Sequence, residues 1–315
     1  MKKALIIGIN DYATAPLTGC VNDASAIGTI LESHGDGSPN FSVKMMTSPS
    51  LDISRSLFRE SIEQLFSGDP AMALLYFSGH GLIKSTGGYL VTTDARRFDE
   101  GVSMDDVLLL ANQSKAKNKV IILDCCYSGV AGTPAISGNS LSQLSEGLSI
   151  LTASRDSEVS VEINGAGVFT SLVIDALKGG AADIRGNITP GSLYAYVDEA
   201  LGGWDQRPIF KTNVTSFAPL RVIQPKVPFE MLRRITQYFT TPDAEYKLDP
   251  SHEDTDPRAI KDNVQVLKEL QKFQSVGLVV PVDAEFMYFA AINSKSCRLT
   301  ALGYQYWRLV KEKKL

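Results

Sequence analysis

The chain has 315 residues, of which 44% are hydrophobic and 21% charged, and its net charge is -4. That is enough apolar material for one large domain plus a smaller one, and the acidic balance excludes a generic binder of polyanions. Four cysteines without a paired C-x-x-C exclude a disulfide framework, and three histidines (His34, His80 and His252) make a poor basis for a zinc enzyme.

The opening run Met1 to Ile9 superficially resembles a secretory leader. It is too short, and Asn10-Asp11-Tyr12 breaks it, so it reads as a first strand. No segment is long enough to span a bilayer, and a reduced cytoplasmic protein without membrane attachment is expected. From residue 3 to about 215, short apolar runs alternate with helical patterns. Strands are expected at 3–9, 42–46, 72–78, 88–93, 119–124 and 148–153. Helices are expected at 20–34, 51–66, 103–112, 167–178 and 189–201. This rhythm predicts an α/β domain, a mainly parallel sheet covered by helices on both faces. Active groups then gather beyond the carboxyl ends of the strands. Residues 129–147 (GVAGTPAISGNSLSQLSEG) carry no periodicity and read as a mobile loop.

A second region, 224–315, follows the first domain at 1–223, with Pro225 and Pro228 at its entry. An amphipathic helix starts at Phe229, and 241–257 is an acidic, Pro-containing connector. Ile260, Val264, Leu267, Leu270 and Phe273 set a helix over 258–276, which Gly277 ends as a left-handed cap. Residues 278–282 and 286–292 read as a β-hairpin, with Cys297 in its wing and inert, and Thr300 caps a closing helix. Helix, helix, hairpin, helix resembles a winged-helix domain, most specifically in "LKELQKFQSVGLV" and "RLTALGYQYWRLV". Residues 224–315 hold 14 basic and 12 acidic residues, net +2, against 17 and 23, net -6, in the remainder. A DNA reader is normally more basic, and the 258–276 helix alternates signs. A protein-contact or autoregulatory module is favoured over nucleic acid.

Two strand ends carry chemistry. Met72 to Phe77 runs into Ser78-Gly79-His80-Gly81, and Val120 to Leu123 runs into Asp124-Cys125-Cys126-Tyr127-Ser128-Gly129. His80 and Cys126 lie 46 positions apart, on strands expected to be neighbours or near neighbours. An imidazole beside a thiol can take its proton and later protonate the leaving amine. The backbone N–H groups of Gly81 and Cys126 are candidates for an oxyanion site.

Four motifs then agree in order: Gly19-Cys20-Val21-Asn22-Asp23-Ala24, Tyr76-Phe77-Ser78-Gly79-His80-Gly81, Asp124-Cys125-Cys126-Tyr127-Ser128-Gly129 and Gly167-Val168-Phe169-Thr170. With these, residues 1 to about 215 resemble the caspase-like cysteine peptidases, in their metacaspase and bacterial branch. The resemblance implies a caspase-like sandwich with a mostly parallel six-stranded sheet. It makes Cys126 the nucleophile and Cys125 a buried bystander. It also implies an acidic specificity pocket at Cys20, Asp23, Ser78 and Asp124. Alone, Asp23 reads as an acid offsetting a helix dipole. Together with Asp124 it reads as half of a pocket that takes a substrate Arg or Lys, because two close carboxylates repel without a cation.

Calcium-activated relatives carry an acidic cluster. Asp105-Asp106 match its paired acids, but Gly87 and Thr133 fall where further acids would stand, so weak calcium dependence or none is expected. No metal or other cofactor is expected. No Lys or Arg lies between Lys119 and Arg155, so an enzyme specific for basic residues cannot cut its own 129–147 loop; candidate cuts lie elsewhere, for example at Arg96, Arg97 or Arg221. Trp204 and Asp205 either border the substrate cleft or pack at its rim. His34 and His252 read as surface histidines. The function expected is an endopeptidase acting on proteins after Arg or Lys, linked through 224–315 to an upstream sensor. The resemblance implies an effector role in bacterial stress or defence. The rivals are an inactive peptidase fold serving as an interaction protein, and a nucleic-acid-responsive protease.

Overall fold

The structure is a computed structural model that describes residues 1–97, 99–125, 127–128, 144–153, 162–163, 166–201 and 208–315. The chain divides into two compact units, Met1–Ala182 with Asn187–Ile223, and Asp183–Gly186 with Gln224–Leu315.

The first unit opens with β1 (Lys2–Gly8), α1 (Cys20–Leu31), β2 (Phe41–Thr47), α2 (Arg55–Phe66) and β3 (Met72–Ser78). β4 (Gly81–Lys84), β5 (Gly87–Arg96), β6 (Asp99–Ser103) and α3 (Met104–Gln113) follow, then β7 (Asn118–Asp124), β8 (Tyr127–Ser128) and β9 (Leu148–Thr152). It closes with β10 (Glu162–Ile163), β11 (Ala166–Gly167), α4 (Val168–Asp175), β12 (Asn187–Ile188), α5 (Pro190–Leu201), β13 (Ile209–Asn213) and β14 (Arg221–Val222).

The main sheet has six strands in the order β13-β9-β7-β3-β1-β2, parallel except for β13 at one edge. Its central strands are near-continuous apolar runs because both faces are covered. Every residue of β3 is buried. Leu75, Phe77 and Leu123 enter the core that includes Phe58 of α2 and Val107 of α3. Leu74, Tyr76 and Ile122 enter the opposite core, with Ile27, Val173 and Val197 of α1, α4 and α5.

The strand expected at 88–93 is real, but it belongs to a second, four-stranded sheet ordered β6-β5-β4-β8. Its burial alternates residue by residue from Gly88 to Val91, the mark of a strand covered on one face only. The sixth place in the main sheet goes to β13, whose half-exposed Ile-Phe-Lys-Thr-Asn gives little apolar signal. Two helices start where Ser side chains cap them: Ser54 accepts from Leu57 N–H ahead of α2, and Ser103 from Asp106 N–H ahead of α3.

The second unit contains α6 (Phe229–Arg233), α7 (Ile235–Tyr238), β15 (Glu245–Lys247), α8 (Lys261–Ser275), β16 (Val279–Val282), α9 (Met287–Ile292), β17 (Ser296–Leu299) and α10 (Ala301–Lys311). Its sheet is antiparallel in the order β15-β17-β16. Gly277, at φ 74°, ends α8 with Gly277 N–H on Gln274 O and Leu278 N–H on Phe273 O, the paired bonds of a Schellman cap. Thr300 accepts from Gly303 N–H and caps α10.

The expected hairpin is corrected. Residues 279–282 form a strand, but its partner is β17, and 287–292 are helical. Met287, Ala290 and Ala291 bury one helical face, and two alanines favour helix over strand. Cys297 therefore lies on the middle strand of the sheet, not in a wing, where burial pushes its thiol up to about 12. The connector 241–257 contains β15 and a turn at Pro250–His252 capped by Asp249. That turn folds His252 inward, so it is buried and not a surface histidine. His34 is half-buried and accepts from Val222 N–H. Among the described residues no helix is long and apolar enough to cross a membrane.

Candidate active site

The parallel strands β3 and β7 run side by side to their carboxyl ends, where Ser78 stands opposite Asp124. Gly79 N–H still reaches Asp124 O at 3.3 Å. Both chains then leave the main sheet and enter the second one, where Gly81 of β4 stands opposite Tyr127 of β8. Each takes two intervening residues to do so, Gly79-His80 in one chain and Cys125-Cys126 in the other. Cys126 lies outside the described residues. Cys125 is buried in the same core as Leu123.

His80 is held from three sides. Its backbone N–H donates to Tyr12 Oη at 3.0 Å, and its carbonyl accepts from Val91 N–H at 3.0 Å. Its ring lies 4.5 Å from that of Tyr12. Its Nε2 bonds to Ala15 O at 2.7 Å. A carbonyl only accepts, so Nε2 carries the proton and Nδ1 of the neutral ring is the basic nitrogen. Gly79 has no room for a side chain, because a β-carbon there would collide with Tyr12 Oη and the Phe77 ring.

On the other side of the sheet edge, Asp23 of α1 and Asp124 of β7 are buried and approach one glycine. Gly167 N–H donates to Asp23 Oδ2 at 3.3 Å. A β-carbon on Gly167 would stand 3.0 Å from Asp124 Oδ2 and 3.3 Å from Asp23 Oδ2. Thr170 donates its hydroxyl proton to Asp124 Oδ2 at 2.5 Å, and its Oγ1 lies 2.6 Å from Tyr76 Oη. Burial pushes the Asp124 carboxyl up to about 6, against the pull of the Thr170 hydroxyl and backbone N–H. Gly167 caps α4 without a side chain, and Asp124 supplies the acceptor for the third helical residue from outside the helix.

A model of the caspase domain matches residues 1–217. The chain belongs to the caspase domain family of cysteine peptidases. Two solved structures share the fold. Protein GSU0716 from Geobacter sulfurreducens is 16% identical over 71% of this chain and 100% of its own, with a TM-score of 0.53. Caspase-1 from Spodoptera frugiperda is 14% identical over 71% of this chain and 90% of its own, with a TM-score of 0.51. No curated protein sequence matches the chain.

Within this caspase domain, Cys20 opens α1 and is buried, as is Ser78 at the tip of β3. The Ser78 side chain pulls the Tyr76 phenol down, against its burial. The structure thus gathers Asp23, Ser78 and Asp124 around the Tyr76–Thr170 pair. Tyr76 and Thr170 lie inside two of the sequence motifs, yet sequence reasoning gave them no role. The signal was present: Tyr76 shares the strand face of Ser78, two residues on, and Thr170 sits at the third helical position after a glycine cap. Tyr12 was likewise missed, since nothing local in Asn10-Asp11-Tyr12 points to a histidine 68 residues away.

Asp105 and Asp106 open α3. A β-carbon on Gly87 would face Asp105 Oδ2 at 3.5 Å, and Asp106 Oδ2 lies 3.7 Å from Arg59 Nε. Thr133, Trp204 and Asp205 lie outside the described residues. Of the candidate cut sites, Arg96 and Arg97 are exposed. Arg221 is a poor one: its guanidinium donates to Ser33 O and Leu177 O, both at 2.9 Å.

Proposed function

We propose that residues 1–223 are an endopeptidase that cleaves proteins after Arg or Lys, with Cys126 as nucleophile and His80 as base. The observation that carries the basic preference is the convergence of two buried carboxylates, Asp23 and Asp124, on Gly167, with Asp124 opposite Ser78 at the end of the strand that leads to His80. Among the described residues no Lys or Arg side chain is paired with Asp124. A substrate guanidinium or ammonium is the cation that such a pair accepts.

The dyad is supported by register. Ser78 faces Asp124 and Gly81 faces Tyr127, so in sequence residue 126 holds the place in its chain that His80 holds in the other. In this reading His80 Nδ1 takes the Cys126 proton, and the thiolate attacks the scissile carbonyl to form a thioester. The same imidazole protonates the departing amine, and water then hydrolyses the acyl-enzyme. The bond to Ala15 O holds the tautomer and the ring plane. The Gly81 and Cys126 N–H groups receive the developing oxyanion, a contribution on the order of 3 kcal/mol per donor.

Calcium is not required in this reading. Gly87 supplies no side-chain oxygen beside Asp105, and Asp106 already faces Arg59. Activity that persists in a chelator is expected.

The second unit serves as a winged-helix-like control module that binds a protein partner, an upstream sensor in a stress or defence response. Two of its α8 charges are paired within the unit, Glu269 with Arg234 and Lys268 with Asp254, and the helix mixes both signs, which favours a protein contact over a phosphate backbone. The test is turnover of fluorogenic peptides ending in Arg, Lys or Asp by wild type, Cys126→Ala and His80→Ala. Arg and Lys peptides are expected to be cut by wild type alone. Cleavage after Asp, or unchanged turnover by Cys126→Ala, defeats the proposal.

A further inference from the structure

The buried Asp124 carboxylate does not stand alone. Tyr76 and Thr170 are both fully buried, and Thr170 spends its single hydroxyl proton on Asp124 Oδ2. At the 2.6 Å contact with Tyr76 it must therefore accept, and Tyr76 must donate. The chain of protons runs Tyr76 Oη to Thr170 Oγ1 to Asp124 Oδ2. It links β3, α4 and β7.

We propose that Thr170, oriented by Tyr76, is a specificity-positioning residue that aims the Asp124 carboxylate at the basic side chain of the substrate. This rests on the proposed preference for Arg or Lys. A carboxylate can rotate about its terminal torsion, and in a pocket shared with Asp23 repulsion favours turning it away. The Thr170 hydroxyl holds Oδ2 and its backbone N–H bonds the same carboxyl, which together fix the torsion. Thr170 touches neither the scissile bond nor the dyad in this scheme. Its loss is then expected in substrate capture, not in the chemical step.

The groups facing Asp124 also set a pH dependence. Among the described residues Asp23 of α1 and Tyr76 of β3 are ionisable groups of this cluster, and the first turn of α4 carries no acid. Burial, with Asp124 and Asp23 nearby, holds the Tyr76 phenol well above its ordinary range, so it stays a donor. Burial raises the Asp124 carboxyl and Thr170 lowers it. Removing the hydroxyl leaves burial less opposed, and the acid must then rise further. Cation binding, which needs the ionised form, would fail at a higher pH than in wild type.

The experiment measures kcat and KM for one Arg-ending and one Lys-ending peptide from pH 5 to 8, with wild type, Thr170→Val, Thr170→Ser and Tyr76→Phe. Thr170→Val keeps the shape and removes the proton. Its KM is expected to rise about tenfold with kcat within about threefold, and the acid limb of kcat/KM to move up by roughly one pH unit. Thr170→Ser restores both. Tyr76→Phe shifts both the same way by less, and reports independently should the valine variant fail to fold. A wild-type KM and acid limb in Thr170→Val, or in Tyr76→Phe should the valine variant not fold, overturns the proposal. Wild type that cuts other peptides but neither basic one instead overturns the specificity reading beneath it.

Discussion

Gly167 and Asp124 are in such close approach that a β-carbon on the glycine would stand 3.0 Å from the Asp124 Oδ2 atom. The backbone at Gly167 has φ -65° and ψ 137°, which any residue adopts. Glycine is needed here for space alone. A methyl group would wedge between Asp124 and Asp23 and displace both carboxylates. Gly167→Ala is expected to cost about 1–3 kcal/mol of stability by overpacking and to raise KM for basic peptides about tenfold. Thermal melts and steady-state kinetics on the same preparation check both. A variant with unchanged KM would mean that the acids do not contact the substrate.

Tyr12 is expected to support the histidine. Its hydroxyl accepts His80 N–H at 3.0 Å and donates to Val91 O at 3.3 Å. Tyr12→Phe keeps the ring packing and strands both partners, at a cost of about 1–2 kcal/mol. With the imidazole less firmly held, kcat is expected to fall about tenfold while KM stays near wild type. An unchanged kcat would show that Ala15 O alone orients the ring.

The enzyme is expected to leave its own 129–147 loop intact. No Lys or Arg occurs between Lys119 and Arg155, so that loop offers no basic residue to the pocket. Self-cleavage is expected at exposed basic residues such as Arg96 or Arg97, not at Arg221, whose guanidinium is tied to two carbonyls. Intact-mass measurement after prolonged incubation checks this. A fragment boundary inside 129–147 would count against the basic preference.

How much of this was legible in the sequence follows the covering of each strand. β1, β3 and β7 are buried on both faces, so their apolar runs announced them, and with them the places of His80 and Asp124. β13 is a half-exposed edge strand and left no such run. The stretch 286–292 misled because Phe286, Tyr288 and Phe289 look like strand residues, while the burial of Met287, Ala290 and Ala291 decides for helix. The pairing of Asp23 with Asp124 came from motif resemblance. What they bond to did not, because Thr170 and Tyr76 meet Asp124 only after three distant segments have packed. No local pattern encodes that meeting.

The second unit is expected to weaken in acid through one buried acid. Glu269 of α8 takes a two-pronged bond from Arg234, at 2.8 and 2.7 Å, and a third from Tyr238 Oη at 2.6 Å. Burial pushes its carboxyl up, but the bonds from Arg234, Tyr238 and Gln265 outweigh it and hold the acid below its ordinary 4.5. A carboxyl lowered by folding stabilises the fold fully above its unfolded value, and the contribution is lost as pH falls through the folded one. The stability of this unit is therefore flat from neutral pH to about 5 as far as Glu269 is concerned, and declines below about 4.5. Glu269→Gln keeps the shape and removes the charge. Because Arg234 is partly exposed and can turn to water, the cost is expected at about 1–3 kcal/mol at pH 7 and to shrink toward pH 3. Hydrogen exchange of the 229–315 amides in the full chain, read at both pH values, separates this unit from the peptidase. An equal deficit at both would mean that packing, not the ion pair, carries the contribution.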